Sequence, residues 1–205
     1  MSGTPKPYVT YADYLALEEE SDLRWAWLDG EVWATTGGTP VHSELATNVI
    51  GTLGAALRGR PCRPYDGNLR VRVPASGMAF HPDVSVVCGP RQLDPEDPNA
   101  VTNPTVIIEV LSKSTERYDR TDKLVHYRRI PSLRDYLLVS QTEARVEHYR
   151  RNDDGTWTLR DVRAGESVAL ASLDVTLAID DVYAGVTLPP PLTREAYSPT
   201  PQDSE

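Results

Sequence analysis

The pattern of apolar and polar positions along the chain predicts a series of short strands and helices. In 104–115, PTVIIEVLSKST, the residues Val106, Ile107, Ile108, Val110 and Leu111 form a largely β-branched run, as a buried strand does, and Glu109 interrupts it. Two earlier stretches also read as strands. NLRVRVP (68–74) alternates Leu69, Val71 and Val73 with Arg70 and Arg72, and HPDVSVVCG (81–89) sets Val84 and Val86 against Asp83 and Ser85. Between them and the central run lies PRQLDPEDPNAVTNP, a Pro- and Asp-rich loop too long for a tight turn. DYLLVS, ARVEHYRR and TWTLRDVRA, further on, predict three more strands.

Helical spacing is clearest in HSELATNVIGTLGAALRG, where Leu45, Val49, Leu53 and Leu57 recur every four residues and Gly59 can end the helix. TYADYLALEEE predicts a short helix, with Thr10 as N-cap and Asp13 three places on, a variant of the capping box. STERYDRTDKLVHYRRI predicts another, capped by Ser114 or Thr115 and ended by Pro131. RWAWLDGEVWATT reads as a hairpin turning at Asp29-Gly30. The central order of helix, three strands, helix and strand predicts an α/β (α+β) fold, a mixed sheet flanked by helices. One domain over 10–187 is expected, with a flexible N-terminus (1–9) and a disordered Pro-rich tail (188–205).

Composition narrows this picture. The formal net charge of −9 argues against a protein that coats nucleic acid nonspecifically, an affinity that comes from neutralising phosphates. A local basic groove remains compatible with it. No apolar run reaches the roughly 20 residues of a membrane helix, and the N-terminus lacks a signal-peptide core. Cys62 and Cys88 have neither metal-type spacing nor the numbers of a disulfide framework, so two reduced, buried thiols in a cytoplasmic protein are expected.

Glu109 raises the chemical question, because a carboxylate inside an apolar strand is costly unless paired, protonated or bound to a cation. Alternation puts Ile107, Glu109 and Leu111 on one face. If the Asp83 strand is its neighbour, two carboxylates converge, and their repulsion favours a hard divalent ion such as Mg²⁺ (or Mn²⁺). Arg120, Lys123 and Tyr127 share a helix face by spacing, with Asp119 one turn before Lys123. A Lys beside a metal can stabilise charge in phosphoryl transfer or orient water. Taken singly, each residue also has a plain structural reading: a turn Asp, a paired strand Glu, a surface Asp119–Lys123 pair.

HPDVSVVCG, PTVIIEVLSKST, DRTDKLVHY and LRDYLLVS, together with LDGEVW and the Leu45–Leu57 helix, resemble the Uma-two family of restriction-endonuclease-like proteins, within the PD-(D/E)XK nuclease superfamily. The resemblance covers about residues 10–185. It implies metal-dependent cleavage of DNA, with Asp83 and Glu109 as metal ligands and a homodimer by analogy. The superfamily's Lys two places after the second acid is absent, since Leu111 stands there. The resemblance assigns that role to Lys123 on the following helix, with Lys113 as a weaker substitute. His42 would touch substrate or assist proton transfer, and Glu44 would be an additional ligand. Tyr127 would pack in the core with its hydroxyl near the site. The rival expectations are a binding module that keeps the fold without turnover, or a hydrolase of another phosphoester.

Overall fold

A computed structural model describes residues 8–35, 38–113 and 115–190. The first part of the chain runs α1 (Tyr11–Glu20), β1 (Arg24–Leu28), β2 (Glu31–Thr35), α2 (Pro40–Ala56), β3 (Cys62–Asp66), β4 (Arg70–Val73) and β5 (Met78–Phe80). The centre follows as β6 (Val84–Cys88), β7 (Ala100–Val101), β8 (Pro104–Val110), α3 (Glu116–Tyr118), a π-helical turn (Asp119–Lys123) and α4 (Leu124–Tyr127). The last part is β9 (Asp135–Val139), β10 (Arg145–Arg151), β11 (Trp157–Arg163), β12 (Ser167–Leu170), β13 (Val175–Ala178) and α5 (Ile179–Val182).

Local signals explain several of these elements. Thr10 and Asp13 form both bonds of a capping box, so α1 starts where its cap satisfies the free amides. Asp29 and Gly30 both take positive φ, the geometry of a two-residue hairpin turn, and join β1 to β2 in continuous register. Helix α2 starts earlier than its apolar spacing suggested. Thr39 caps it through the His42 amide, and Pro40 occupies the first turn, where its missing N–H leaves nothing unsatisfied.

A six-stranded sheet in the order β11-β10-β9-β8-β6-β3 forms the centre. On one face α2 buries Leu45, Val49 and Leu53 against Val84, Val86, Ile108 and Val110, with α5 and the β12-β13 ribbon completing the layer. On the other face Ile107, Leu111, Tyr136 and Leu138 pack with Leu124 and Tyr127 of α4 and with Val71, Val73 and Phe80 of a second sheet. Coverage on both faces is why β8 and β9 read as almost unbroken apolar runs. β8 and β9 are parallel, and the helical crossover between them carries Lys123. No helix among the described residues is long and apolar enough to cross a membrane.

The structure corrects three expectations. NLRVRVP is a strand, but it belongs to the second sheet, of order β2-β1-β5-β4-β7. The third strand of the central meander is instead β3, whose register with β6 runs from Cys62↔Cys88 to Asp66↔Val84. Its polar residues and Pro64 conceal it, and both are tolerated because β3 is an edge. That pairing sets the two cysteines directly opposite one another, where they form a disulfide rather than two free thiols. The long acidic loop, finally, is built into the fold. It pairs through β7 and supplies buried Asp94 and Asp97 as counter-ions to Arg72 and Arg70. The proposed cap Ser114 and most of the two terminal segments lie outside the described residues.

Arg70 and Arg72 are buried although they alternate with valines, because α1 covers them. Arg70 Nη2 lies 2.8 Å from Glu18 Oε2, and the Arg72 guanidinium lies 4.0 Å from the Tyr11 ring centroid. Burial raises the Glu18 pKa, but bonds from His81 and the Trp25 amide, with the Arg70 charge, outweigh it and hold the pKa at about 2 against an ordinary 4.5. A lowered acid pKa gives stability that is present above the unfolded value and lost as pH falls through the folded one. Acid titration of stability is therefore expected to fall between pH 4.5 and about 2, with a shallower slope in Glu18→Gln. Urea denaturation across that range measures it. Reducing the Cys62–Cys88 link, which spans 26 residues, is expected to lower stability by about 3 kcal/mol. Denaturation with and without a phosphine reductant reads that difference, and a Cys62→Ser variant should be insensitive to it.

Candidate active site

The antiparallel register of β6 on β8 pairs Val84 with Ile108, and the next step places Asp83 across from Glu109. The two residues interlock through their backbones. Asp83 Oδ2 accepts the Val110 amide at 2.7 Å, and Glu109 Oε2 accepts the Asp83 amide at a long 3.4 Å. Each carboxylate is thus aimed by the strand opposite its own.

Lys123 reaches the same point from the crossover helix. Its Nζ lies 3.0 Å from Glu109 Oε1 and 2.7 Å from Asp119 Oδ1. The Tyr127 hydroxyl donates to Glu109 Oε1 at 2.7 Å. Asp119 also accepts the Thr115 hydroxyl at 2.7 Å, and its carbonyl accepts the Tyr136 hydroxyl at 3.0 Å. Asp119 stands one turn before Lys123, as its spacing predicts. Arg120 turns away to Glu147 and Glu116, so it does not join the group its spacing suggested.

His42, in the first turn of α2, places Nε2 3.1 Å from Asp83 Oδ2. Gly38 lets it sit there, since a Cβ at that position would approach the imidazole ring to 2.5 Å. Glu44 is exposed on α2 and does not line the cavity onto which the other groups open. That cavity, of about 650 Å³, is also lined by Trp33, Tyr118, Gln141 and the exposed Lys113. Trp33, Tyr118 and Gln141 had no chemical pattern in the sequence. Gln141 ties the rim together by donating to the Leu111 carbonyl at 2.8 Å and accepting the Thr39 hydroxyl at 2.6 Å.

The electrostatics follow from burial. The Glu109 side chain is 3% exposed, and desolvation pushes its pKa up, opposed by Lys123 and reinforced by Asp83 and Asp119. For Lys123 desolvation works in the lowering direction, but Glu109 and Asp119 overcome it and hold the ammonium charged. The hydrogen bond to Asp83 raises the His42 pKa against its own desolvation. Asp83, Glu109 and Asp119 thus have Lys123 and His42 as the cationic groups in direct contact, with Lys113 on the cavity rim.

Among the described residues no group of three or more His, Cys, Asp or Glu side chains is arranged to hold a metal ion. A closed protein cage of the structural zinc type therefore does not fit. An ion that takes one or two carboxylates and keeps several waters, as Mg²⁺ does, fits better. Asp83 Oδ1 accepts no hydrogen bond from the described residues, Glu109 Oε2 accepts only the long one, and the carboxylate surplus calls for a cation.

Comparison with known proteins agrees with this architecture. A family model for Uma2, described as "Putative restriction endonuclease", matches residues 11–180. The Synechocystis sp. (strain ATCC 27184 / PCC 6803 / Kazusa) protein slr1290 is 34% identical over 184 residues, 90% of this chain and 96% of that protein. A second protein of the same organism, sll1609, is 33% identical over 154 residues, 75% of this chain and 87% of its own length. The fold is similar to that of the crystal structure of a "putative nuclease belonging to DUF820" from Anabaena variabilis ATCC 29413. The TM-score is 0.70 at 18% identity, over 85% of this chain and 97% of the other.

Replacing Lys123 by Met would leave Glu109 and Asp119 buried without their cation, and a loss of about 3–5 kcal/mol is expected. Adding Glu109→Gln to Lys123→Met should recover part of that loss. Urea denaturation of the single and double variants checks both statements, and a double variant less stable than the single one would contradict the pairing.

Proposed function

The chain belongs to the Uma2 family, and we propose that it is a Mg²⁺-dependent endonuclease that hydrolyses phosphodiester bonds in DNA. The observation that carries this reading is the convergence of Asp83, Glu109 and Lys123 on one cavity, from two neighbouring strands and the crossover helix. The family description supports a nuclease, and the chemistry of the donor set supports the metal.

In this reading Asp83 and Glu109 hold the divalent ion. When bound, the ion supplies Lewis-acid stabilisation and lowers the pKa of a water, as such ions do in phosphoester hydrolysis. Lys123 is kept charged between Glu109 and Asp119 and offers its ammonium to the phosphoryl oxygens, where charge accumulates. His42 fixes the orientation of the Asp83 carboxylate and carries a proton at Nε2 beside the cavity. Tyr127 and Thr115 act through Glu109 and Asp119, so they are positioning residues. Helix α2 and Phe80 wall the site from bulk water.

One observation favours a second reading, a module that binds nucleic acid without cleaving it. Leu111 packs in the apolar cluster beside Tyr127, at the place where the superfamily resemblance expects a Lys. The two readings part on metal. A chain that binds no Mn²⁺ by calorimetry, and whose DNA affinity is unchanged in Asp83→Ala, is a binding module.

The nuclease reading is tested by nicking of supercoiled plasmid with Mg²⁺ or Mn²⁺. Asp83→Ala and Lys123→Ala are each expected to lower the rate by about 100-fold or more, the scale of losing one group that stabilises the transition state. A melting scan separates loss of chemistry from loss of fold. Nicking that survives both substitutions unchanged would sink the assignment.

A further inference from the structure

A second charged cleft lies at the far end of the central sheet. It has a volume of about 920 Å³, sits between the end of α2 and the edge strand β3, and is lined by Arg58, Arg60, Arg63 and Arg91. No acidic side chain lines it. Arg60 is committed to the fold, donating to the Leu173 and Asp174 carbonyls at 3.0 and 2.8 Å. Arg58, Arg63 and Arg91 are exposed and make no ion pair and no side-chain hydrogen bond with the described residues. The C-terminal dipole of α2 favours a cation near Arg58, but its influence fades within the last turn. Arg63, on β3, and Arg91, beyond β6, lie outside that turn. On a chain of net charge −9, this concentration of unpaired guanidinium groups makes a local site of attraction for an external anion.

The position of the cleft identifies that partner. Asp83 stands at the start of β6, and the cleft surrounds Cys62 and Cys88 at the other end of the β3-β6 pair. Five residues of strand separate them, about 17 Å at roughly 3.3 Å per residue. Helix α2 runs between the same two places, with His42 at the active cavity and Leu57 at the cleft. Along a DNA strand, about 17 Å corresponds to roughly five steps of 3.4 Å. The spacing between the active cavity and the arginines thus matches about five base-pair steps of axial rise, half a helical turn.

We propose that this cleft is a phosphate-backbone subsite, which grips DNA about five nucleotide steps from the bond being cut. The proposal rests on the nuclease reading for the identity of the polyanion. Guanidinium groups suit the task because their paired N–H donors match two phosphate oxygens at once. The cleft presents no carboxylate or amide side chain to read base edges, so it contributes affinity and register rather than sequence preference.

The test is binding of a fluorescent 20-base-pair duplex to the full chain in EDTA, over a range of KCl concentrations. Wild type is compared with Arg63→Ala/Arg91→Ala and with Arg63→Lys/Arg91→Lys. Each phosphate contact contributes about 0.9 to the slope of log affinity against log salt. The alanine pair is expected to flatten that slope by about 2 and the lysine pair to restore it, with unchanged melting temperatures. An unchanged slope in the alanine pair overturns the subsite, and plasmid nicking by wild type then leaves the nuclease reading standing. A flattened slope without nicking under Mg²⁺ or Mn²⁺ keeps the subsite and removes the nuclease. No duplex binding by wild type overturns the subsite. Loss of pyrophosphate binding in the alanine pair, with the DNA slope unchanged, makes the cleft a small-anion site and also overturns it.

Discussion

The burial of Glu109 is the constraint on which the site depends. A carboxylate near the end of β8, between two packed layers, has lost its water and must be compensated by protein or by a cation. Three elements meet to do this. The crossover helix brings Lys123 and Tyr127 to Oε1, and the start of β6 brings the Asp83 amide to Oε2. Each contact fixes a geometric relation: the helix against the sheet, and β6 in register with β8. This buried carboxylate thereby also specifies how its neighbours sit.

Much of this was legible in the chain because the chemistry and the periodicity coincide. Asp83 begins an alternating strand, Glu109 stands alone among apolar residues, and Lys123 lies on a helix that must cross back over the sheet. What stayed hidden had physical reasons. β3 carries Pro64 and polar residues that only an edge tolerates, so it does not read as a strand, and with it the Cys62–Cys88 pairing was invisible. Arg70 and Arg72 read as a solvent-facing row, yet they are buried because α1, Asp94 and Asp97 arrive from distant parts of the chain. The helix face built from Arg120, Lys123 and Tyr127 assumed α-helical spacing. Arg120 leaves it for Glu116 and Glu147, while Asp119 keeps the place beside Lys123 that its spacing gives.

Charge is unevenly distributed, and the distribution has consequences. The acidic surplus of the chain concentrates in loops and at the active cavity, where carboxylates outnumber the cationic groups in direct contact with them. Under α1 opposite charges are matched pair by pair in a buried network. At the edge strand β3, Arg58, Arg63 and Arg91 make no ion pair with the described residues. Such an arrangement disfavours a polyanion over most of the surface and attracts one locally. The approach is then selective, because attraction is confined to the cleft and to whatever cation the carboxylates hold.

A lysine carried on a helix rather than on the strand couples the site to the packing of the crossover. A lysine at position 111 would be carried by the same strand as Glu109, and its placement would be fixed by the sheet alone. Leu111 instead strengthens the apolar layer, and its amide bonds to the Val139 carbonyl at 2.8 Å. Lys123 then depends on the helix for its position, and the helix depends on Asp119, Thr115 and Tyr136 to hold its wide turn against the sheet. The Lys123 ammonium therefore reaches Glu109 only when the crossover is docked. Packing of that helix and assembly of the site become one event, so a change at Tyr136, which never touches the cavity, acts on the same geometry as a change at Lys123 itself.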